Sequence, residues 1–77
     1  MKHWNTEGIK MPRENLKAAR KDKGMTQQQV ADHLGISLRY YQMLEAGKFT
    51  GKFEIWDELE DLFSIHQRVL REESDRQ

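Results

Sequence analysis

The 77-residue sequence contains no cysteine, one proline and no long apolar run. Without cysteine the chain has neither a disulfide framework nor a cysteine-based zinc site, and this composition is typical of a reducing compartment. No stretch approaches the roughly 20 apolar residues that a membrane-spanning helix needs. The first ten residues also lack the apolar segment of a signal peptide. We therefore predict a cytoplasmic protein with no membrane partner.

Patterns typical of catalysis or metal binding are also scarce. The histidines His3, His33 and His66 do not have the spacing of metal ligands, and we interpret each as a surface side chain. No Ser-His-Asp arrangement or catalytic carboxylate pair can be argued, because the acidic residues of the C-terminal half are typical of a solvated helix face. The sequence therefore predicts no enzyme, no metal and no other cofactor.

Charge is distributed unevenly along the chain, although the formal net charge is zero. Residues 1–52 carry ten Lys or Arg and five Asp or Glu, a balance of +5, whereas residues 53–77 carry three basic and eight acidic residues, a balance of −5. This asymmetry predicts a basic surface for an anionic partner. An unevenly charged but merely solvated surface is the alternative.

The first helix signals lie between Pro12 and Gln29. Pro12 suits the first turn of a helix, and the amphipathic segment that follows is predicted to end at Gly24. Thr26 precedes Gln29 by three residues, which is the spacing of a capping box. A second helix is therefore predicted directly after Thr26.

The second and third predicted helices are short and are joined by a tight turn. The second runs from about Gln27 to His33, and the third follows the cap residue Ser37 and ends near Ala46. Gly35 permits the turn between them, and the small Ala31 allows close approach where the helices cross. Together they predict a helix-turn-helix.

Helical periodicity resumes over 53–63, and a last short helix is predicted at roughly 67–73. No segment has the pattern of a strand, so we predict an all-α bundle of about five short helices. The predicted organisation is an N-terminal arm at 1–11, one domain at 12–73 and a frayed tail at 74–77.

The sequence resembles the Cro/CI family of helix-turn-helix DNA-binding domains, also called the XRE family. The resemblance rests on NLKAARKDKGMTQQQVADHLGISLRYYQMLEAGK and then on WDELEDLFSI. It covers about residues 13–70 without an apparent gap. It implies a five-helix domain of the lambda-repressor-like type, found in phage repressors and related bacterial regulators, which binds operator DNA as a symmetric dimer. The implied function is transcriptional control, most simply repression.

The third helix is implied to be the recognition helix, which would enter the major groove. Leu38, Arg39 and Met43 match the family's base-reading positions, and Gln42 lies between them. Arginine can donate two hydrogen bonds to guanine, glutamine can pair with adenine, and the two apolar residues can contact a thymine methyl. For Arg39 the alternative is an ordinary solvated side chain.

A further set of residues is predicted to contact DNA phosphates: Gln27, Ser37, Tyr40, Lys48 and Lys52. Gln27 matches the family's glutamine at the start of the second helix, where free N–H groups attract anions. Ser37 caps the third helix and can also reach a phosphate. For Tyr40, which is expected to point outward, plain exposure is the alternative. For the two lysines it is a solvated loop charge.

The resemblance also implies an ion pair between Arg20 and Glu45 that joins the first helix to the end of the third; the alternative is two unrelated surface charges. Tyr41 occupies the family's branched-aliphatic core position. Three further positions depart from the family pattern, because Ala46 replaces a usual asparagine, Gly51 a common proline and Ser64 a common glycine.

The C-terminal apolar residues predict a homodimer. Phe63, Ile65, Val69 and Leu70 lie near the C-terminus, where dimers of the family often meet, and a small domain gains stability by burying more surface. The alternative is that these residues complete the monomer core.

A second functional hypothesis is a protein-interaction module, such as the antitoxin of a toxin–antitoxin pair. Net neutrality and the apolar residues Leu38, Tyr40 and Met43 on the third helix favour it. The partner would then be a protein rather than double-stranded DNA.

Overall fold

The computed structural model describes residues 12–73, and this range contains five α-helices. No strand occurs within this range. The predicted arm and tail, 1–11 and 74–77, lie outside the described residues. The predicted all-α bundle is confirmed, and its helices are α1 (Glu14–Asp22), α2 (Gln27–Leu34), α3 (Leu38–Glu45), α4 (Phe53–Phe63) and α5 (Gln67–Leu70).

Helix α1 begins later than the proline pattern predicts. Its N-cap is Arg13, which has a non-helical backbone (φ −92°, ψ 84°), so Pro12 precedes the cap. The placement of Pro12 in the first turn was therefore wrong. The physical reason is that the Arg13 N–H donates to the carbonyl of Glu45, at 2.9 Å, and this bond holds the chain against the end of α3.

The helix-turn-helix has the caps that the sequence predicts. The Thr26 hydroxyl accepts from the Gln29 N–H at 3.0 Å, and the Gln29 side chain accepts from the Thr26 N–H at 2.8 Å. Gly35 ends α2 in the left-handed region (φ 72°). The Ser37 hydroxyl then accepts from the Tyr40 N–H at 3.0 Å. These caps fix the angle between α2 and α3 locally.

The core takes residues from all five helices. Its buried apolar side chains are Leu16, Ala19, Val30, Ala31, Leu34, Tyr41, Leu44, Ile55, Trp56, Leu59, Phe63 and Leu70. Three charged residues, Arg13, Arg20 and Glu45, are buried with them. A buried charge is unfavourable unless it is paired, so each of these three side chains requires an oppositely charged or hydrogen-bonding partner.

Helix α5 begins after a backbone turn that the sequence left open. Ser64, where the family commonly has glycine, adopts a left-handed conformation (φ 59°). His66 then caps α5, because its Nδ1 accepts from the Arg68 N–H at 3.0 Å. His66 is exposed, as predicted for a surface histidine, and it also has this capping role.

Helix α5 is shorter than predicted, because it ends at Leu70 instead of Glu73. The Glu72 N–H donates to the carbonyl of Val69 at 3.2 Å, which is a three-residue spacing and not the four-residue spacing of an α-helix. The carbonyl of Val69 also accepts from the Nδ2 of Asn15 at 3.2 Å, and the carbonyl of Arg71 accepts from the Nε of Arg13 at 3.1 Å. Contacts with the start of α1 therefore hold the chain where α5 ends.

The conformation of the loop between α3 and α4 explains why residue 51 is glycine and not the proline common in the family. Gly51 has a positive φ of 83°, which proline cannot adopt. A Cβ at this position would lie 2.6 Å from the Cδ2 of Leu44 and 3.6 Å from the Nε1 of Trp56. The loop between α3 and α4 therefore needs glycine for both conformation and space.

We expect Gly51→Ala to lower the free energy of unfolding by about 2–4 kcal/mol, because a left-handed backbone and an overpacked contact each cost about 1–2 kcal/mol. Gly24→Ala is the matched control, since Gly24 also has a positive φ of 72° but nothing within 4 Å of an added Cβ. Urea denaturation of both variants measures the difference. Equal losses would show that the contact with Leu44 has no cost.

Candidate nucleic-acid interface

A buried ion pair joins α1 to the last residue of α3. The Nε of Arg20 donates to the Oε2 of Glu45 at 2.6 Å, and its Nη2 donates to Oε1 at 3.3 Å. The third nitrogen, Nη1, donates to the carbonyl of Met25 at 3.0 Å. The bond with Glu45 is the main reason that the pKa of Arg20 is raised. This two-point geometry fixes the orientation of α3 relative to α1.

Tyr41 adds a third partner to this pair. Its side chain is fully buried, and its hydroxyl donates to the Oε2 of Glu45 at 2.6 Å. Burial, followed by the bond with Glu45, raises the pKa of Tyr41 far above its usual value, so the hydroxyl remains a donor. The sequence placed Tyr41 in the core but did not predict this bond. The signal for it is the spacing of four residues on one helix face.

Tyr40 is not simply directed outward. It is half-buried, and its ring packs against Phe49 with the centroids 4.9 Å apart and the planes 60° apart. The prediction of an outward-pointing side chain was therefore incomplete. Because the two tyrosines lie about 100° apart on the helix, Tyr41 faces the core while Tyr40 supports the following loop.

The predicted base-reading residues lie together on α3, but they differ in solvent exposure. Arg39 and Gln42 are exposed, whereas Leu38 and Met43 are half-buried. Within residues 12–73 the ion pairs involve Arg13 and Arg20, and Arg39 forms none.

Gln27 makes more contacts within the chain than predicted. Its Nε2 donates to the Oε1 of Glu45 at 3.1 Å, and its Oε1 accepts from the Nε2 of Gln42 at 3.3 Å. The side chain therefore links the buried ion pair to an exposed residue of α3. An open cleft of about 210 Å³ beside Gln27 is also lined by Lys17, a basic residue for which the sequence predicts no role.

The loop between α3 and α4 carries the two predicted phosphate-contacting lysines, Lys48 and Lys52, and both are exposed. The backbone is held from within, because the Lys48 N–H donates to the carbonyl of Met43 at 3.0 Å and the Trp56 indole N–H donates to the carbonyl of Thr50 at 2.6 Å. Ser37, the remaining predicted phosphate contact, is exposed at the N-cap of α3.

The four C-terminal residues predicted for a dimer interface do not share one environment. Phe63 and Leu70 are buried in the chain's own core, at 8% and 0% exposure, so they are part of the monomer core. Ile65 is half-buried, and Val69 is 42% exposed. Phe53, the first residue of α4, is 66% exposed.

Neither a metal-binding cluster nor a membrane-spanning helix is found among residues 12–73. Within the described range, no three or more His, Asp or Glu side chains are grouped so that they could hold a metal ion. None of the helices in that range has the length and apolar character needed to cross a bilayer.

The fold and this surface define a helix-turn-helix protein. A family model described as helix-turn-helix matches residues 16–66, most of the chain. The chain therefore belongs to the helix-turn-helix family of the Cro/CI, or XRE, type, and it is a DNA-binding transcriptional regulator. The resemblance predicted from the sequence is confirmed. No curated protein and no solved structure matches the chain.

We expect Tyr41→Phe to lower the free energy of unfolding by about 2 kcal/mol, because a buried hydrogen bond to a charged group is lost while the ring still fills the core. Chemical denaturation measures this loss.

Tyr40→Phe is the control for that substitution, since the removed hydroxyl belongs to a half-buried side chain on the adjacent face of α3. We expect its effect to stay within about 0.5 kcal/mol. If both variants lose the same stability, the bond to Glu45 does not stabilise the fold.

Proposed function

We propose that this protein is a transcriptional repressor that binds a palindromic operator as a dimer, with α3 in the major groove. The observation that carries the proposal is Arg39, which is exposed and forms no ion pair with another residue of 12–73, on a helix that the buried Arg20–Glu45 pair holds from behind. A rigid helix with an exposed guanidinium at its N-terminal end is the arrangement that reads guanine in the major groove.

Each surface residue has a proposed role in this complex. Arg39 donates to guanine O6 and N7, and Gln42 pairs with adenine at a neighbouring position. Leu38 and Met43 contact thymine methyl groups. Phosphates on either side are contacted by the exposed side chains Ser37, Lys48 and Lys52, by Gln27 and by the hydroxyl of Tyr40.

A second candidate function is a protein-interaction module such as an antitoxin. The observations that favour it are the half-buried apolar residues Leu38 and Met43 on α3 and the strongly exposed Phe53. An apolar surface of this kind suits a protein partner as well as thymine methyl groups. The presence of a toxin gene beside the coding sequence would favour this candidate, whereas a divergent promoter favours the repressor.

We expect selection from a random DNA pool to enrich a palindromic site, and Arg39→Ala to relax the preference at one base pair in each half-site. The loss at the selected site should be about 1–3 kcal/mol, since that is the contribution of one bidentate guanine contact. Affinity for the best site should also fall by orders of magnitude between about 50 and 200 mM salt.

Arg68→Ala is the control for this experiment, because Arg68 is an exposed arginine on α5, outside the proposed reading helix. It removes the same charge and should leave the base preference intact. No enrichment by the unaltered protein at low salt would reject the DNA-binding proposal and direct attention to a protein partner.

The proposed dimer uses the surface around Val69 and Ile65. We expect sedimentation equilibrium at tens of micromolar to detect a dimer, and Val69→Glu to shift it toward monomer, because a buried unpaired carboxylate is unfavourable. The selected half-sites should lie about 34 Å apart, one turn of DNA.

Ala18→Glu on α1 introduces the same charge at another exposed position and should leave the association state unchanged. A monomer both with and without the selected DNA would contradict the dimer.

A further inference from the structure

Arg13 is almost completely buried, with 2% of its surface exposed, and nothing in its sequence context predicts this burial. Burial lowers its pKa, which the nearby Glu73 partly offsets, and an arginine still remains protonated near neutral pH. A buried cation of this kind needs several acceptors at good geometry. Its guanidinium group makes four hydrogen bonds from its three nitrogens.

Two of these bonds hold residues on either side of Lys48, at the start of the loop that carries the lysines proposed to contact phosphates. The Nη1 of Arg13 donates to the carbonyl of Leu44 at 2.6 Å and to the carbonyl of Phe49 at 3.0 Å. Leu44 lies in the last turn of α3, and Phe49 follows Lys48 directly. One nitrogen therefore fixes both ends of the segment that contains Lys48. The Arg13 N–H holds the carbonyl of Glu45 as well.

The remaining bonds place the segment after α5. The Nε of Arg13 donates to the carbonyl of Arg71 at 3.1 Å, and its Nη2 pairs with Glu73 at 3.3 Å. The guanidinium carbon also lies 5.2 Å from the centre of the Trp56 ring, a cation–π distance. The acceptors come from three separate parts of the chain, and the planar guanidinium is the group that can meet them together.

We propose that Arg13 is a positioning residue for DNA binding, which sets the path of the loop that bears Lys48 and Lys52 relative to the recognition helix. This inference rests on the proposed function, because it assumes that these lysines contact phosphates. Arg13 itself is buried and does not touch DNA. Its effect is on phosphate contacts, which hold the protein on the duplex without reading its sequence.

The test compares Arg13→Lys with the unaltered protein at a temperature where both are folded. We expect the variant to bind the selected DNA and unrelated DNA about tenfold more weakly at 100 mM salt, with the salt slope reduced by about 1, as for the loss of one phosphate contact. Base preference should stay unchanged. The backbone amides of Gly47 and Lys48 should exchange hydrogen faster, while that of Val30 should not.

Arg71→Gln and Arg13→Gln form the matched control pair. Each removes one positive charge that lies against Trp56, at 6.0 and 5.2 Å from its ring, but the Arg71 substitution leaves the bonds to Leu44 and Phe49 in place. We expect Arg71→Gln to keep both the affinity and the exchange pattern. A residue that only stabilised the fold would change the melting temperature without changing the salt slope.

The outcomes separate this inference from the function on which it rests. If the unaltered protein binds DNA and Arg13→Lys retains its affinity, slope and amide exchange, the positioning role is wrong. If the unaltered protein does not bind DNA, the proposed function and the role of Arg13 in DNA binding both fail, and amide exchange decides only whether Arg13 orders the loop. If both Arg13→Lys and Arg13→Gln are unfolded, amide hydrogen exchange in the unaltered protein provides the test. Exchange of the Lys48 amide independently of the Val30 amide would then overturn the inference.

Discussion

The carboxylate of Glu45 is the group on which the arrangement of the first three helices depends. It is buried at the end of α3, where the helix dipole is negative and an anion is least favourable. Arg20 neutralises it, and Tyr41 and Gln27 complete its hydrogen bonds. Removing one partner of such a buried pair leaves an uncompensated charge, so the carboxylate constrains α1, α2 and α3 to a single arrangement. The position of the exposed face of α3 is therefore set by the same contacts.

The second buried cation, Arg13, offsets the unfavourable end of the same helix dipole by a different route. It binds backbone carbonyls of α3 and the following loop, where positive charge is stabilising. The C-terminal end of α3 is therefore held by two arginines, one through a side-chain carboxylate and the other through main-chain carbonyls. The two arginines therefore hold the short α3 and the glycine-containing loop after it in a fixed relative position.

Much of the fold could be predicted from the sequence because its signals are local. The capping box of Thr26 and Gln29, the cap at Ser37 and the turn at Gly35 each depend on residues within four positions of one another. The proposed reading face of α3 rests on the resemblance to known regulators and stays a prediction. Where the sequence failed, distant contacts decided. Helix α5 ends at Leu70, and the chain after it is held by Arg13, 58 residues away, which donates to the carbonyl of Arg71.

The helix-turn-helix and the family could be recognised from the sequence alone, since both depend on spacing along one short segment. The burial of Arg13, the bond from the Tyr41 hydroxyl to Glu45 and the place of Phe63 and Leu70 in the monomer core emerge only in the folded molecule. The physical reason is that the burial of a side chain, and the acceptors that a charged group finds, depend on which distant segments pack against it.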